Sequence, residues 1–112
     1  METIYHVAFA SDWAAAQREG SYRMSTRGAD LATVGFVHGS FLEQVDGILR
    51  LLYSDVTEPL VVLVIDPRRL DAEVRVENLD GGDVLFPHVY GPIPADAVVA
   101  TLAVAPPRRP KP

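Results

Sequence analysis

Residues Leu60 to Ile65 read LVVLVI, six apolar side chains closed by Glu58-Pro59 on one side and Asp66-Pro67 on the other. A run this short and this rich in β-branched residues forms a strand, and because it does not alternate, both of its faces must be covered. The fold is therefore layered, with this strand at its centre. The same run is the longest apolar stretch of the chain, far below the roughly 20 residues that a membrane-spanning helix requires.

The rest of the sequence supplies the covering layers. TIYHVAF, from Thr3 to Phe9, predicts a first strand with Ile4, His6 and Ala8 on one face and Tyr5, Val7 and Phe9 on the other. Ser11 offers an N-cap and Gly20 a left-handed stop, which predicts a short helix between them. Ser21 to Thr33 has no sustained period and reads as an ordered loop at best, with mobility as the alternative. A short strand follows at Gly35 to His38, and Ser40 with Glu43 has the spacing of a capping box. Phe41, Val45, Ile48, Leu49 and Leu52 then recur at helical steps and predict a helix that packs on the sheet. EVRVEN alternates, which places Val74 and Val76 inward and Glu73, Arg75 and Glu77 outward. LFPHVYGPIP is too proline-rich for a central strand, whereas Ala97 to Val104 forms a last strand. An unpaired edge on EVRVEN or on that last strand would admit a second copy of the chain, making a homodimer. Residues 1–105 read as one domain and 106–112 as a disordered tail rich in proline and arginine. The element order predicts an α+β fold in which a curved sheet carries two main helices.

Composition narrows the function classes. With 112 residues the chain can bury roughly two-thirds of its unfolded surface without a disulfide or metal. It has no cysteine, so thiol chemistry and cysteine zinc sites are excluded. A net charge of −5 disfavours non-specific nucleic-acid binding. The start METIYHVAF lacks a basic and then apolar leader, which makes the cytoplasm the expected compartment. No dinucleotide, P-loop or nucleophile-elbow motif is present.

The chemistry-bearing candidates are the histidines, because only imidazoles have an unperturbed pKa near neutrality. His6, within an apolar strand, reads as a satisfied core histidine or as a donor at a site. His38 precedes a helix start, where backbone N–H groups favour anions, or simply caps the turn. His88 lies in FPHVYGPIP with Phe86 and Tyr90, which makes either a rigid pocket wall or a structured connection. The three lack zinc-binding spacing. Glu77, at a strand end, is either a general base or part of a solvated, ion-paired face with Glu73 and Arg75. Arg23 in SYRMSTR offers a bidentate phosphate contact from a loop.

The motifs IYHVA, DWAAAQREGSYR, GFVHGS, LVVLVIDPRRL, RVEN and LFPHVYGPIPADAVV, in that order over residues 3–104, resemble the DUF952 family. Gly39 stands where that family has cysteine, and Val76 where it often has tryptophan. The resemblance implies an ADP-ribosyltransferase-like fold, a split sheet with NAD in a cleft. It further implies that His6 orients the ribose, that His38 and Ser40 border the cleft, and that Glu77 polarises the ribose 2′-hydroxyl. His38 or Arg23 would hold a phosphate, and Tyr22 or Tyr90 would stack on a ring. His88 joins the ligand-binding candidates on the pocket-wall reading of its own segment. NAD would then be a substrate rather than a resident cofactor, with ADP-ribosyl transfer as the chemistry. The alternative is a non-catalytic binding or regulatory domain that keeps the scaffold and takes another small molecule or a protein partner.

Overall fold

The computed structural model describes residues 1–104. The tail reading for 106–112 lies outside them. The elements follow as β1 (Ile4–Phe9), α1 (Ala10–Glu19), β2 (Ser21–Tyr22), β3 (Met24–Thr26), β4 (Ala29–Asp30), α2 (Leu31–Val34), β5 (Val37–His38) and α3 (Val45–Leu52). After them come β6 (Leu60–Ile65), β7 (Val74–Glu77), β8 (Phe86–Val89), β9 (Ile93–Pro94) and β10 (Val98–Val104). The protein is a small α+β fold with three α-helices and several small sheets, one helix more than the sequence suggests.

LVVLVI is the central strand of an antiparallel sheet ordered β1-β6-β10. Its two faces serve two cores. Val61, Leu63 and Ile65 join Ile4, Ala8, Tyr22, Val37, Val89 and Ile93 in one, against which Trp13 of α1 packs. Leu60 and Val62 join Val7, Tyr53 and Val56 in the other, covered by Val45, Ile48, Leu49 and Leu52 of α3. The absence of alternation in β6 is thus the signature of this double cover.

A second antiparallel sheet is ordered β5-β8-β7. Its register pairs Val37 with Val89 and Val89 with Val74, and this row faces the first core. The proline-rich segment is therefore its middle strand, contrary to the sequence expectation. Proline is tolerated because the N–H and C=O of one residue in an antiparallel strand point to the same side. The Pro87 carbonyl accepts the Gly39 N–H at 2.9 Å, so the missing donor falls where β5 ends and costs the β7 ladder nothing.

Residues 37–40 run from one sheet to the other. Ser40 closes a two-bond bridge with Tyr5 of β1, N to O at 2.7 Å and 2.8 Å. Gly39 allows this crossing: a Cβ there would lie 2.7 Å from Ile4 Cγ2 and 2.9 Å from the Pro87 oxygen. The chain needs no side chain at that point, which is the physical sense of glycine at the position.

Several local expectations shift. β1 runs straight into α1 with Phe9 at the N-cap, so Ser11 caps nothing, while Gly20 does end the helix at φ 92°. Ser21 to Thr33 is ordered into three short strands and a helical turn capped by Asp30, whose carboxylate accepts from Thr33 N at 2.9 Å. The start of the third helical segment moves by one residue, from Ser40 and Glu43 to Phe41 and Gln44. The Gln44 carboxamide accepts from Phe41 N and donates to Leu85 O, both at 2.8 Å, which ties that start to the entry of β8. Val76 is 43% exposed rather than inward, because β7 is the outer strand of its sheet and only Val74 reaches the core. β7 and β10 are both sheet edges. No described helix is long and apolar enough to cross a membrane.

Candidate functional site

Antiparallel register decides which side chains share a surface. In the second sheet His38, His88 and Arg75 are directly opposed across three strands, and Glu77 opposes Phe86. Opposed residues point to the same face. Glu77, Phe86, His88, Tyr90 and His38 therefore occupy the face turned away from the core, joined by Phe36. The rings touch: Phe36 to His88 at 4.6 Å between centroids, His38 to Phe86 at 5.0 Å, His38 to His88 at 5.3 Å and Phe36 to Tyr90 at 5.6 Å.

Over this face lies a cleft of about 160 Å³, walled by Phe36, His38, Phe86 and His88 below and by Asn78, Leu79 and Asp80 at the side. The side wall is a self-bonded loop. Asn78 Nδ2 donates to Val84 O at 2.7 Å, and Asp80 Oδ1 accepts from Gly82 N at 3.0 Å.

Glu77 stands behind the wall rather than in it. Its Oε2 accepts the Tyr90 hydroxyl and lies 3.3 Å from His88 Nδ1. Oε1 has no protein partner among the described residues. The Tyr90 ring is covered by Arg75, whose Cζ is 4.4 Å from the centroid and whose guanidinium pairs with Glu73 at 3.0 Å. The ion-paired face read from the sequence thus holds for Glu73 and Arg75, while Glu77 turns to Tyr90 and His88. Burial pushes the His88 pKa down against the raising effect of Glu77. Burial also lowers His38, helped by the neighbouring His88. The Glu77 carboxylate raises the Tyr90 phenol by accepting its proton in a hydrogen bond.

The remaining predicted residues lie elsewhere. His6 is 3% exposed and both ring nitrogens are engaged: Nδ1 donates to His38 O at 2.6 Å, and Nε2 accepts the Tyr22 hydroxyl at 2.8 Å. Burial pushes its pKa down to about 4, so the ring is neutral. This is a satisfied core histidine that fixes the backbone beneath His38. Tyr22 is buried with it, and burial raises its phenol above the ordinary range. Ser40 is buried and lines a void of about 10 Å³ with His6, His38 and Ser25. Arg23 hydrogen-bonds Ser21 Oγ at 3.1 Å and borders a separate depression with Asp12 and Glu19. A larger groove, about 380 Å³, is lined by residues that include Asp71, Ala72, Gly91 and Pro92, with only Tyr90 shared with the histidine face. Its lining is mostly small residues and prolines. Among the described residues no group of three His, Asp or Glu is placed to hold a metal ion.

Phe36, Asn78 and Asp80 were not singled out from the sequence as site residues, and Phe86 was named only as a companion of His88 in a pocket wall. The signal for the rings was present: Phe36-Val37-His38 and Phe86-Pro87-His88-Val89-Tyr90 both alternate ring with non-ring, a period-2 pattern that places every ring on one side of a strand.

The match to known proteins follows this architecture. The family model described as a protein of unknown function, DUF952, matches residues 7–101, and the chain belongs to that family. The crystal structure of protein CC0527 from Caulobacter crescentus is similar, with a TM-score of 0.76 and 27% identity over 91% of this chain and 85% of that one. The solution NMR structure of the same protein gives a TM-score of 0.72 and 27% identity over 94% of this chain and 86% of that one. No curated protein matches the sequence.

Proposed function

We propose that the chain binds the nicotinamide–ribose end of NAD in the cleft over the second sheet, on a scaffold of the ADP-ribosyltransferase-like kind. The observation that carries this is the row His38, His88, Arg75 with Glu77 beside it, which puts two imidazoles at a ring-walled cleft and a carboxylate just behind. Two three-stranded sheets around a shared core support the scaffold assignment.

Size and charge refine the ligand. A cleft of about 160 Å³ accepts one heterocycle with part of its sugar, since sites for whole drug-sized ligands run to roughly 300–1,000 Å³. The wall holds two phenylalanines and Asp80 and no lysine or arginine. Aromatic faces and a carboxylate favour a cationic ring over a diphosphate. The pyridinium of oxidised NAD fits that preference, and the phosphates remain outside. Arg23 takes no part in this site.

Calorimetric titration with NAD, NADH and ADP-ribose tests the proposal. NAD is expected to bind most tightly, and His38→Ala to weaken it by about tenfold, or roughly 1.4 kcal/mol. Equal binding of NADH and ADP-ribose, or no binding of any of the three, overturns it.

A second reading, binding without glycosyl transfer, is favoured by one observation. Glu77 does not line the cleft, so it has no direct contact with a ribose hydroxyl there. Release of nicotinamide from NAD, followed by chromatography, separates the two: no release from a saturated protein selects the binding domain.

A further inference from the structure

We propose that His88 is the acid–base residue of this cleft and that Glu77 is its positioning residue. The inference deepens the ligand-binding proposal by assigning the proton-transfer group within the same site. It starts from an inversion of the order expected from the sequence, where the carboxylate faces the ligand. Here His88 walls the cleft and Glu77 does not.

The geometry is that of a carboxylate-backed imidazole. His88 Nδ1 is buried, without a hydrogen bond of good geometry, and the group facing it is Glu77 Oε2 at 3.3 Å. The carboxylate itself is held by the Tyr90 hydroxyl, and the Tyr90 ring is clamped under Arg75. Nδ1 thus carries the proton, turned to the carboxylate, and Nε2 is the unprotonated nitrogen. His88 is only 3% exposed, but its ring walls the cleft, and Nε2, which has no protein partner among the described residues, is the nitrogen free to meet a group there. A proton from a ligand hydroxyl or a water in the cleft passes to Nε2. The imidazolium then bears one positive charge against the Glu77 carboxylate, and the oxygen left behind carries the electron pair. The reverse transfer restores the resting state.

The groups facing His88 set its titration: Glu77 and Arg75 on β7, Tyr90 just after β8, His38 on β5 and Asp80 in the loop after β7. Burial keeps His88 neutral near pH 7, as a base requires. Glu77 works in the opposite direction and stabilises the protonated form.

Carbethoxylation by diethyl pyrocarbonate, mapped by mass spectrometry over a pH series, tests the assignment without presuming a substrate. The neutral imidazole nitrogen attacks a carbonyl carbon of the reagent, an N–C bond forms, and ethanol and carbon dioxide leave. His88 is expected to react at least about tenfold faster than His6, which reacts only after local opening. In Glu77→Gln the midpoint of the His88 pH profile moves down. In Tyr90→Phe, where the carboxylate loses a hydrogen-bond donor and keeps its charge undiluted, it moves up. Failure of His88 to react, or an unmoved midpoint in both variants, overturns the assignment. NAD is expected to slow labelling of His88. Normal variant behaviour without NAD protection overturns the ligand proposal and leaves the histidine–carboxylate pair standing.

Discussion

His6 Nδ1 donates to the carbonyl oxygen of His38 at 2.6 Å, so the first strand holds the backbone that carries the cleft histidine. The two residues are chemically alike and do different work. One is sealed between a carbonyl and the Tyr22 hydroxyl, and the other presents its ring to the cleft floor.

Replacing His6 is therefore a structural experiment. His6→Ala removes one buried and one part-buried hydrogen bond, strands the Tyr22 hydroxyl and leaves a cavity, and it is expected to cost about 2–4 kcal/mol. Urea denaturation measures the loss. A change below about 0.5 kcal/mol contradicts the sealed arrangement.

Acid should weaken the fold before most carboxylates titrate. His6 is depressed to about 4 in the folded state and has an ordinary value near 6.5 when unfolded. The unfolded chain therefore binds the proton first. The stabilisation is complete above about pH 6.5 and is lost progressively as pH falls toward 4, on the order of 3 kcal/mol from this group. The lowered His38 and His88 act in the same direction. Denaturation midpoints measured down this pH range should fall, with a flatter slope in His6→Ala. A flat profile in the parent protein contradicts a buried neutral His6.

Gly39 is predicted to resist substitution although its backbone conformation is ordinary. A Cβ there meets the Pro87 carbonyl at 2.9 Å and Ile4 Cγ2 at 2.7 Å, and a backbone oxygen has little room to yield. Gly39→Ala and Gly39→Cys should each cost about 1–3 kcal/mol by overpacking. Thermal denaturation checks this. Parent-like stability of the cysteine variant would show that the two sheets separate more easily than their spacing indicates.

Tyr90 should ionise above the ordinary range of a phenol, because Glu77 accepts its proton and repels the phenolate. Tyrosine-resolved NMR over an alkaline titration reads this directly. In Glu77→Gln the Tyr90 transition moves down; an unmoved transition shows that the two side chains do not meet in solution.

Fold and site were legible in the sequence to different depths. LVVLVI announced its own double cover, and the TIYHVAF alternation sorted Ile4 and Ala8 from Val7 correctly, since both depend on local side-chain period. The middle position of FPHV was hidden because proline counts against a strand. Only the register shows that the missing donor points to where β5 has ended. The loop reading of Ser21 to Thr33 failed for a related reason: strands of two or three residues are too short to display a period and are held by tertiary contacts. Within the site, His38, Glu77, His88 and Tyr90 were all candidates from sequence, but the strand pairing that unites them is long-range. His6 and Arg23 resemble those candidates in type, and only their partners separate them.

On this reading a ligand meets the face carrying His38 and His88 while His6 stays sealed beneath it. Titration of NAD into histidine-labelled protein, followed by NMR, tests it most directly. Saturable shifts of His38 and His88 with an unmoved His6 are the predicted result. Unmoved His38 and His88 signals at NAD concentrations of roughly 1 mM, where even a weak complex forms, would contradict it.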